Sequence, residues 1–435
     1  MIKNLFLTPF QKFVRTENSA GIILFASAVF ALIWANSDFA DSYGNFLNFK
    51  IGFSFQDFEL KKPIFLWIND GLMTIFFFVI GLELKRELLT GEINTLKKAS
   101  FPLFAAMGGI LFPIVLFLLL NKNPETSHGW GIPMATDIAF ALAILSTLGK
   151  RIPLNIKIFL TAFAIIDDIA GVIVIAAFYS SGIQWIYILY GLILIAVLAF
   201  INYKIKYSLE IGLLFGIFIW FLFYKSGIHP TVAGILLAVT IPIKRKIKFK
   251  TFSEYLKIIS NDVNKISAGN KKHILSKKEL KCVNNLNNLS SSVRSPLQQL
   301  EHNLHKINAY FILPIFALAN AGVAVNLNAS FDTSLIITII ISMFGGKFIG
   351  VTTFSFLSLK FKITELPVGV KPFHIFGIAA IAGVGFTMSI FINNLAFIDN
   401  LTAMNSSKIG IIIGSIISGL VGFIILRVFS KKENT

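Results

Sequence analysis

Four ionisable side chains stand inside long apolar runs: Asp137 in PMATDIAFAL, Asp167 and Asp168 in AIIDDIAG, and Lys347 in FGGKFIG. An ionised group at membrane depth costs several kcal/mol unless it is paired or wetted, so these four are the first functional candidates. The adjacent aspartates point about 100° apart around a helix, which lets both reach one polar cavity. There the two like charges repel and desolvation penalises both ionised forms, so protons and a small cation compete for the same oxygens. Hard oxygen donors suit Na+ or Li+, and Thr136 adds a hydroxyl where a helix break would also free backbone carbonyls. Lys347 offers only N–H donors and repels cations, which makes it the partner of an aspartate. For Asp137 two roles stay open, a direct ligand or an electrostatic balance to two exposed helix termini. Plainer readings compete with these: an aspartate pair satisfied by neighbouring hydroxyls, and a Lys347 that snorkels to the interface.

The elements that must position these groups are membrane helices. Hydrophobic residues make up 55% of the 435 and charged residues only 14%, against about 25% charged in soluble domains. About twelve apolar segments are legible, at 20–35, 64–82, 100–120, 131–148, 154–178, 183–202, 208–224, 228–243, 308–325, 334–358, 374–397 and 408–428. Asp70, Glu83 and His229 lie near segment ends, and His229 reads more simply as a satisfied histidine than as a ligand. The net charge of +17 would point to nucleic acid in a soluble protein. Here the basic connectors, containing Lys3, Lys85, Arg86, Lys150, Lys206, Lys360 and Lys431 among others, alternate with basic-poor ones. That pattern predicts both termini and the basic loop 244–306 on the cytoplasmic side of a bacterial inner membrane, with lipid headgroups as partners and no nucleic acid. The single cysteine, Cys282, excludes an intrachain disulfide.

Two connectors differ from short turns. In the external loop 36–63, Phe49, Ile51, Phe53 and Phe55 alternate with Lys50, Gly52 and Ser54, which predicts a small β-hairpin with a glycine near its bend. Its exposed edge could pair a second copy, giving a homodimer. The loop 244–306 shows weak helical periodicity around FSEYLKIISNDV and a tract NNLNNLSSS whose composition reads as disordered. MGGILFP (107–113) echoes FGGKFIG (344–350), and Pro133 in segment four matches the Gly383, Gly385 pair in segment eleven. Corresponding interruptions of this kind are how inverted-repeat transporters carry broken helices.

Six stretches together resemble the NhaA family of sodium/proton antiporters: NDGLMTIFFFVIGLELKREL, PMATDIAFAL, KIFLTAFAIIDDIAG, LPIFALANAGV, GGKFIG and GFTMSIFI, in family order over nearly the whole chain. The resemblance implies an all-α polytopic fold of twelve helices, an inverted repeat in which segments four and eleven unwind and cross. It makes Asp168 the essential cation ligand, Asp167 the second carboxylate, paired to Lys347, and Thr136 with Asp137 the pair at the helix break. It also assigns pH sensing to Glu83, Lys85, Arg86 and Glu87 in GLELKREL, and to Glu301, His302 and His305 in LEHNLHKINAY.

The function expected is therefore electrogenic Na+(Li+)/H+ antiport, with inward protons expelling sodium by alternating access around the aspartate pair, regulated by pH. The resemblance implies two protons per sodium. The ions are cargo, and no cofactor is expected. A cation-coupled symporter would need a polar patch for a second solute, which the sequence lacks. An intramembrane aspartyl protease would also use two buried carboxylates, but its GxGD context is missing. A passive channel would need a filter or pore-lining rings.

Overall fold

The protein is described from a computed structural model, which covers residues 9–55, 58–91, 94–180, 182–205, 207–245, 247–267, 276–324 and 331–430. Lys3, Lys206 and Lys431, which entered the charge pattern, lie outside the described residues. All twelve apolar segments fall on helix. Among the described residues, seven helices are unbroken and long enough to cross a membrane: Ile64–Thr90, Lys97–Leu120, Leu154–Phe178, Trp185–Lys204, Leu209–Ser226, Thr333–Lys360 and Leu401–Phe429. At 1.5 Å per residue, even 18 residues reach about 27 Å, close to the hydrocarbon thickness. Three helix pairs are apolar enough only when taken together and bend at a short break: Ser19–Ala35 with Ala40–Asn48 (112°), Pro124–Met134 with Ile138–Thr147 (47°) and Pro372–Ala382 with Phe386–Ala396 (41°). The other two segments lie on the short helix Thr231–Val239 and on the helical run through Pro296–Ile307, Asn308–Ile312 and Leu313–Asn320.

The two breaks sit in segments four and eleven, where Pro133 and the glycine pair place them. Each broken pair follows one long helix and precedes another, so the order helix, broken pair, helix occurs twice. Six segments lie between the first helices of the two units, so the units run in opposite senses across a membrane. Segment four begins earlier than its apolar residues suggest, because the tight turns from Pro124 carry a polar stretch, ETSH, into the first half-helix.

Apolar burial cannot drive helix association in lipid, so close packing of small residues takes over. The helices Leu96–Leu120 and Lys347–Lys360 cross where Gly108 faces Gly350, and a Cβ on either would run into the other's carbonyl oxygen. The Leu154–Phe178 helix, which carries the aspartate pair, has 61% of its apolar window buried, against 22% and 17% for Trp185–Lys204 and Leu209–Ser226. The pair therefore sits on the most enclosed of the unbroken helices.

The hairpin forms from Lys50–Phe55 and Phe58–Pro63, antiparallel. Gly52 is not at its bend but within the first strand, opposite Lys61, and the turn itself falls on residues 56–57, outside the described residues. The tract NNLNNLSSS is helical, within Lys277–Val293. Ser276 starts that helix by accepting from the Glu279 amide, while the Glu279 carboxylate accepts from the Ser276 amide, a cap that outweighs the polar composition.

The Gly108–Gly350 contact sets a test of the packing. Gly350→Ala should lower the thermal stability of the detergent-solubilised protein by the equivalent of about 1–3 kcal/mol, as expected for overpacking. Gly212→Ala, where an added Cβ meets nothing within 4 Å, should not. Equal melting of the two variants would remove this contact as a determinant of the fold.

Candidate functional site

Where two helices break inside an apolar layer, their freed N–H and C=O groups need partners from protein. The breaks supply each other. The Asp137 amide donates to the Val384 carbonyl (2.7 Å), the Thr136 hydroxyl to the Ala382 carbonyl (2.8 Å) and the Ser389 hydroxyl to the Ile132 carbonyl (2.8 Å). Segments four and eleven thus cross, hydrogen-bonded at their unwound residues.

Asp137 occupies the crossing. Its Oδ1 accepts from the Phe140 amide (3.2 Å) at the start of Ile138–Thr147. Its Oδ2 accepts from the Thr387 amide (3.0 Å) and the Thr387 hydroxyl at the start of Phe386–Ala396. One carboxylate therefore meets the N-termini of two half-helices, where negative charge is favoured. Both oxygens are engaged, which is the geometry of charge balance.

Lys347 follows a wide turn of π type at Ser342–Gly346, a distortion that often marks functional positions in helices. Its side chain is fully buried, with Nζ donating to Asp167 Oδ2 (2.8 Å) and to the Thr136 hydroxyl (2.8 Å). The Phe163 ring lies 5.6 Å from the ammonium. The Thr136 hydroxyl thus both accepts from Lys347 and donates to Ala382, fixing where the ammonium sits. Snorkelling to the interface is ruled out by this enclosure.

Asp168 differs from its neighbours. It is buried, yet its Oδ1 has no hydrogen-bond partner, and it faces a cavity of about 40 Å³. One water needs only about 10–15 Å³ of such space, so a small cation fits. Thr136, Asp137, Thr387 and Asn308 line the same cavity, as do Glu83 and His305. The Oδ1 of Asp167 is also buried without a partner. Three carboxylates therefore share one ammonium and two helix N-termini.

Of the residues in GLELKREL and LEHNLH, most converge. His305 Nδ1 lies 3.4 Å from Glu83, and Arg86 reaches both Glu87 (2.7 Å) and Glu301 (2.9 Å). Burial pushes the Glu301 carboxyl up to about 7, against the lowering influence of Arg86. Lys85 turns elsewhere, donating to the Tyr203 hydroxyl and to the Val239 and Ile241 carbonyls, where it caps the end of Thr231–Val239. His302 is exposed on Pro296–Ile307. At the hairpin end, Asp70 pairs with Lys62 (2.8 Å), His229 Nε2 lies 3.6 Å from Asp70, and His229 Nδ1 bonds the Thr231 hydroxyl (2.8 Å).

Thr387 and Asn308 are members of the site that sequence reading missed. Thr387 lies two residues from the Gly385 break, within GFTMSIFI, so a search for hydroxyls beside predicted breaks finds it. Nothing in NAYFILP marks Asn308.

Two opposed helical units crossing at breaks within segments four and eleven, with buried carboxylates at the crossing, define a secondary transporter of small ions. The family described as "Na+/H+ antiporter 1" matches residues 11–426. "Na(+)/H(+) antiporter NhaA 1" of Saccharophagus degradans is 40% identical over 99% of this chain and 94% of its own length. "Na(+)/H(+) antiporter NhaA" of Helicobacter pylori is 41% identical over 97% and 96%, and that of Oleidesulfovibrio alaskensis 41% over 98% and 95%. The chain belongs to the Na+/H+ antiporter 1 family, a family of membrane transporters and not of enzymes.

The Lys347–Asp167 pair yields the test of this geometry. Removing one partner of a buried pair leaves an uncompensated charge, so Lys347→Met should cost about 3–5 kcal/mol of stability. Lys347→Met combined with Asp167→Asn should recover most of the loss, as read by thermal denaturation in detergent. A single variant as stable as the parent would show that the two groups do not depend on each other.

Proposed function

We propose that the site exchanges Na+ or Li+ for protons at Asp168, with the Lys347-paired Asp167 as the second carboxylate. The observation that carries this reading is the free, buried oxygen of Asp168 facing a cavity of ion size. Its neighbours are committed elsewhere: Asp137 to two helix N-termini, the Thr136 hydroxyl to Lys347 and Ala382. Only Asp168 and the second oxygen of Asp167 remain to receive a cation or a proton, and they cannot hold both. Relatives over nearly the whole chain are named as Na+/H+ antiporters, which favours antiport over symport. A protease reading loses support because Asp167 is held by Lys347 rather than sharing a proton with Asp168.

Protons entering down their gradient would displace the cation by alternating access, as the crossed half-helices shift around the site. Two protons per cation makes the exchange electrogenic, adding about 2.3 kcal/mol per charge per 100 mV to the drive. The basic connectors support an inner-membrane orientation with both termini and the loop 244–306 cytoplasmic, their charges facing lipid headgroups. The Glu83, Arg86, Glu87, Glu301 and His305 cluster then lies at the cytoplasmic mouth, where it regulates exchange by pH. Neither a cofactor nor nucleic acid enters this scheme. The Lys50–Pro63 hairpin, with Phe49 and Ile51 exposed at its start, joins two copies into a homodimer.

Asparagine keeps the size of aspartate but cannot ionise, so Asp168→Asn should insert and fold yet lose sodium-driven proton release in proteoliposomes. Wild-type sodium affinity should fall as pH drops, approaching about tenfold per pH unit for each proton displaced. Calorimetry across pH reads this directly. An affinity flat across the active range, or exchange surviving in folded Asp168→Asn, rejects competition at Asp168.

A second test concerns regulation. With a carboxyl titrating at about 7, Glu301 is the ionised partner of Arg86 above neutrality and a neutral acid below it. Glu301→Gln holds the low-pH form throughout. The pH of half-maximal exchange should therefore move up by about one unit or more. Superimposable pH profiles would exclude Glu301 from the sensor.

A further inference from the structure

The segment between Pro242 and Ser295 has no part in the exchange site, yet it holds most of the chain's excess charge. Residues 244–295 carry 13 Lys and Arg against 3 Asp and Glu, a net +10 of the chain's +17. Five of these bases fall within seven residues, KRKIKFK at 244–250, directly after the end of a membrane segment. The two ends of the segment are pinned together, because the Leu297 amide donates to the Pro242 carbonyl (3.3 Å). Whatever lies between is held at the membrane surface.

What lies between is a pair of helices, Phe249–Ser267 and Lys277–Val293, whose main packing partner is each other. At 100° per residue, Phe249, Phe252, Leu256, Ile259 and Val263 fall within an arc of about 80° on the first helix. Phe252 and Ile259 are half-buried, but Phe249, Leu256 and Val263 are 39–64% exposed. On the second helix, Leu280, Val283 and Leu286 recur every three residues and are 40–49% exposed. Each helix therefore spends part of its apolar face on the other and leaves the remainder bare. Water is a poor solvent for such stripes, and the polar faces beside them are rich in lysine.

An amphipathic helix with bare apolar residues, a cationic polar face and low overall hydrophobicity is the composition of a helix that lies in a bilayer interface. The charge selects which bilayer. A polybasic segment at the membrane end is attracted to anionic headgroups within a Debye length of the surface, and the pinned ends keep it there. Tethering at both ends makes docking intramolecular, so weak contacts suffice. We propose that the Phe249–Val293 helix pair docks flat on the membrane, its exposed apolar stripes in the interface and its basic residues on anionic lipid phosphates. This inference is independent of the transport reading, since it uses none of the residues of the exchange site.

The test uses the full chain with its one native cysteine removed. On a Cys282→Ser background, a nitroxide is attached either at Leu286→Cys, on an exposed apolar stripe, or at Asn261→Cys, opposite the apolar arc of the first helix. Each protein is reconstituted into phosphatidylcholine vesicles with or without phosphatidylglycerol. Accessibility to oxygen, which partitions into lipid, is compared with that to a water-soluble nickel chelate. In phosphatidylglycerol vesicles the Leu286→Cys label should gain oxygen contact and lose nickel contact several-fold, while the Asn261→Cys label stays open to nickel. Replacing Lys244, Arg245, Lys248 and Lys250 together by Gln should abolish the response. A Leu286→Cys label open to nickel in both vesicles would overturn the proposal, leaving the pair in water. Shielding from both reagents would also overturn it, because the stripe would then be covered by protein, either this transporter's own face or a second copy. An equal response without phosphatidylglycerol would overturn the role of the anionic phosphate.

Discussion

The structure depends on one constraint: a backbone that leaves the helix in mid-membrane must find every hydrogen bond within the protein. Each unsatisfied group would cost several kcal/mol. Asp137 meets this constraint for both broken helices at once, through the Phe140 and Thr387 amides. The other contacts follow in sequence. With the crossing fixed, the Thr136 hydroxyl is set against the Ala382 carbonyl, and its remaining lone pair receives Lys347. Lys347 in turn holds one oxygen of Asp167. Asp168 is what remains once the other charges have been matched.

That remainder has the properties a transient site needs. A carboxylate fully matched by protein donors gains little from a cation, and one matched by an ammonium attracts it less strongly than an unmatched one. An unmatched carboxylate in an enclosed site is unfavourable by itself, and either a proton or a sodium ion relieves it. Because relief by one removes the need for the other, exclusion needs no second device. The proposed exchange then rests on the count of charges at the crossing, and Asp137 and Lys347 matter because they take themselves out of the competition.

Much of this was legible in the sequence, and what was not has identifiable causes. Segment positions follow from the length of apolar runs, and the two breaks from Pro133 and the Gly383, Gly385 pair, since those residues act locally. The Lys347–Asp167 pairing was legible in kind, because a lone base among acids at membrane depth has few choices. Thr387 was not, because its role depends on Asp137, 250 residues away, and no periodicity connects them. The contacts of Lys85 were hidden for a similar reason: its motif groups it with Arg86, but its length and direction take it to carbonyls at the end of another helix. In NNLNNLSSS, composition argued for disorder while the Ser276–Glu279 cap and the leucine spacing argued for helix, and the local cap won. The hairpin glycine misled because a period-two pattern fixes the face of each residue but not the bend.

The proposed pH control has a short physical route to the site. Glu83 lines the cavity that Asp168 faces, and Arg86 and Glu87 follow on the next turn of the same helix, Met73–Thr90. Across from them, His305 and Glu301 lie on neighbouring turns of Pro296–Ile307 and touch Glu83 and Arg86 respectively. A proton gained by Glu301 weakens one of the two ion pairs of Arg86 and leaves the other, to Glu87, intact. The two helices are then joined less tightly at one rung, while the rung beside it borders the cavity. Coupling of this kind requires no relay through the protein interior. It needs only that the separation of two adjacent helices alter the field or the access at Asp168, and the shared Glu83–His305 contact puts that separation within one side chain of the site.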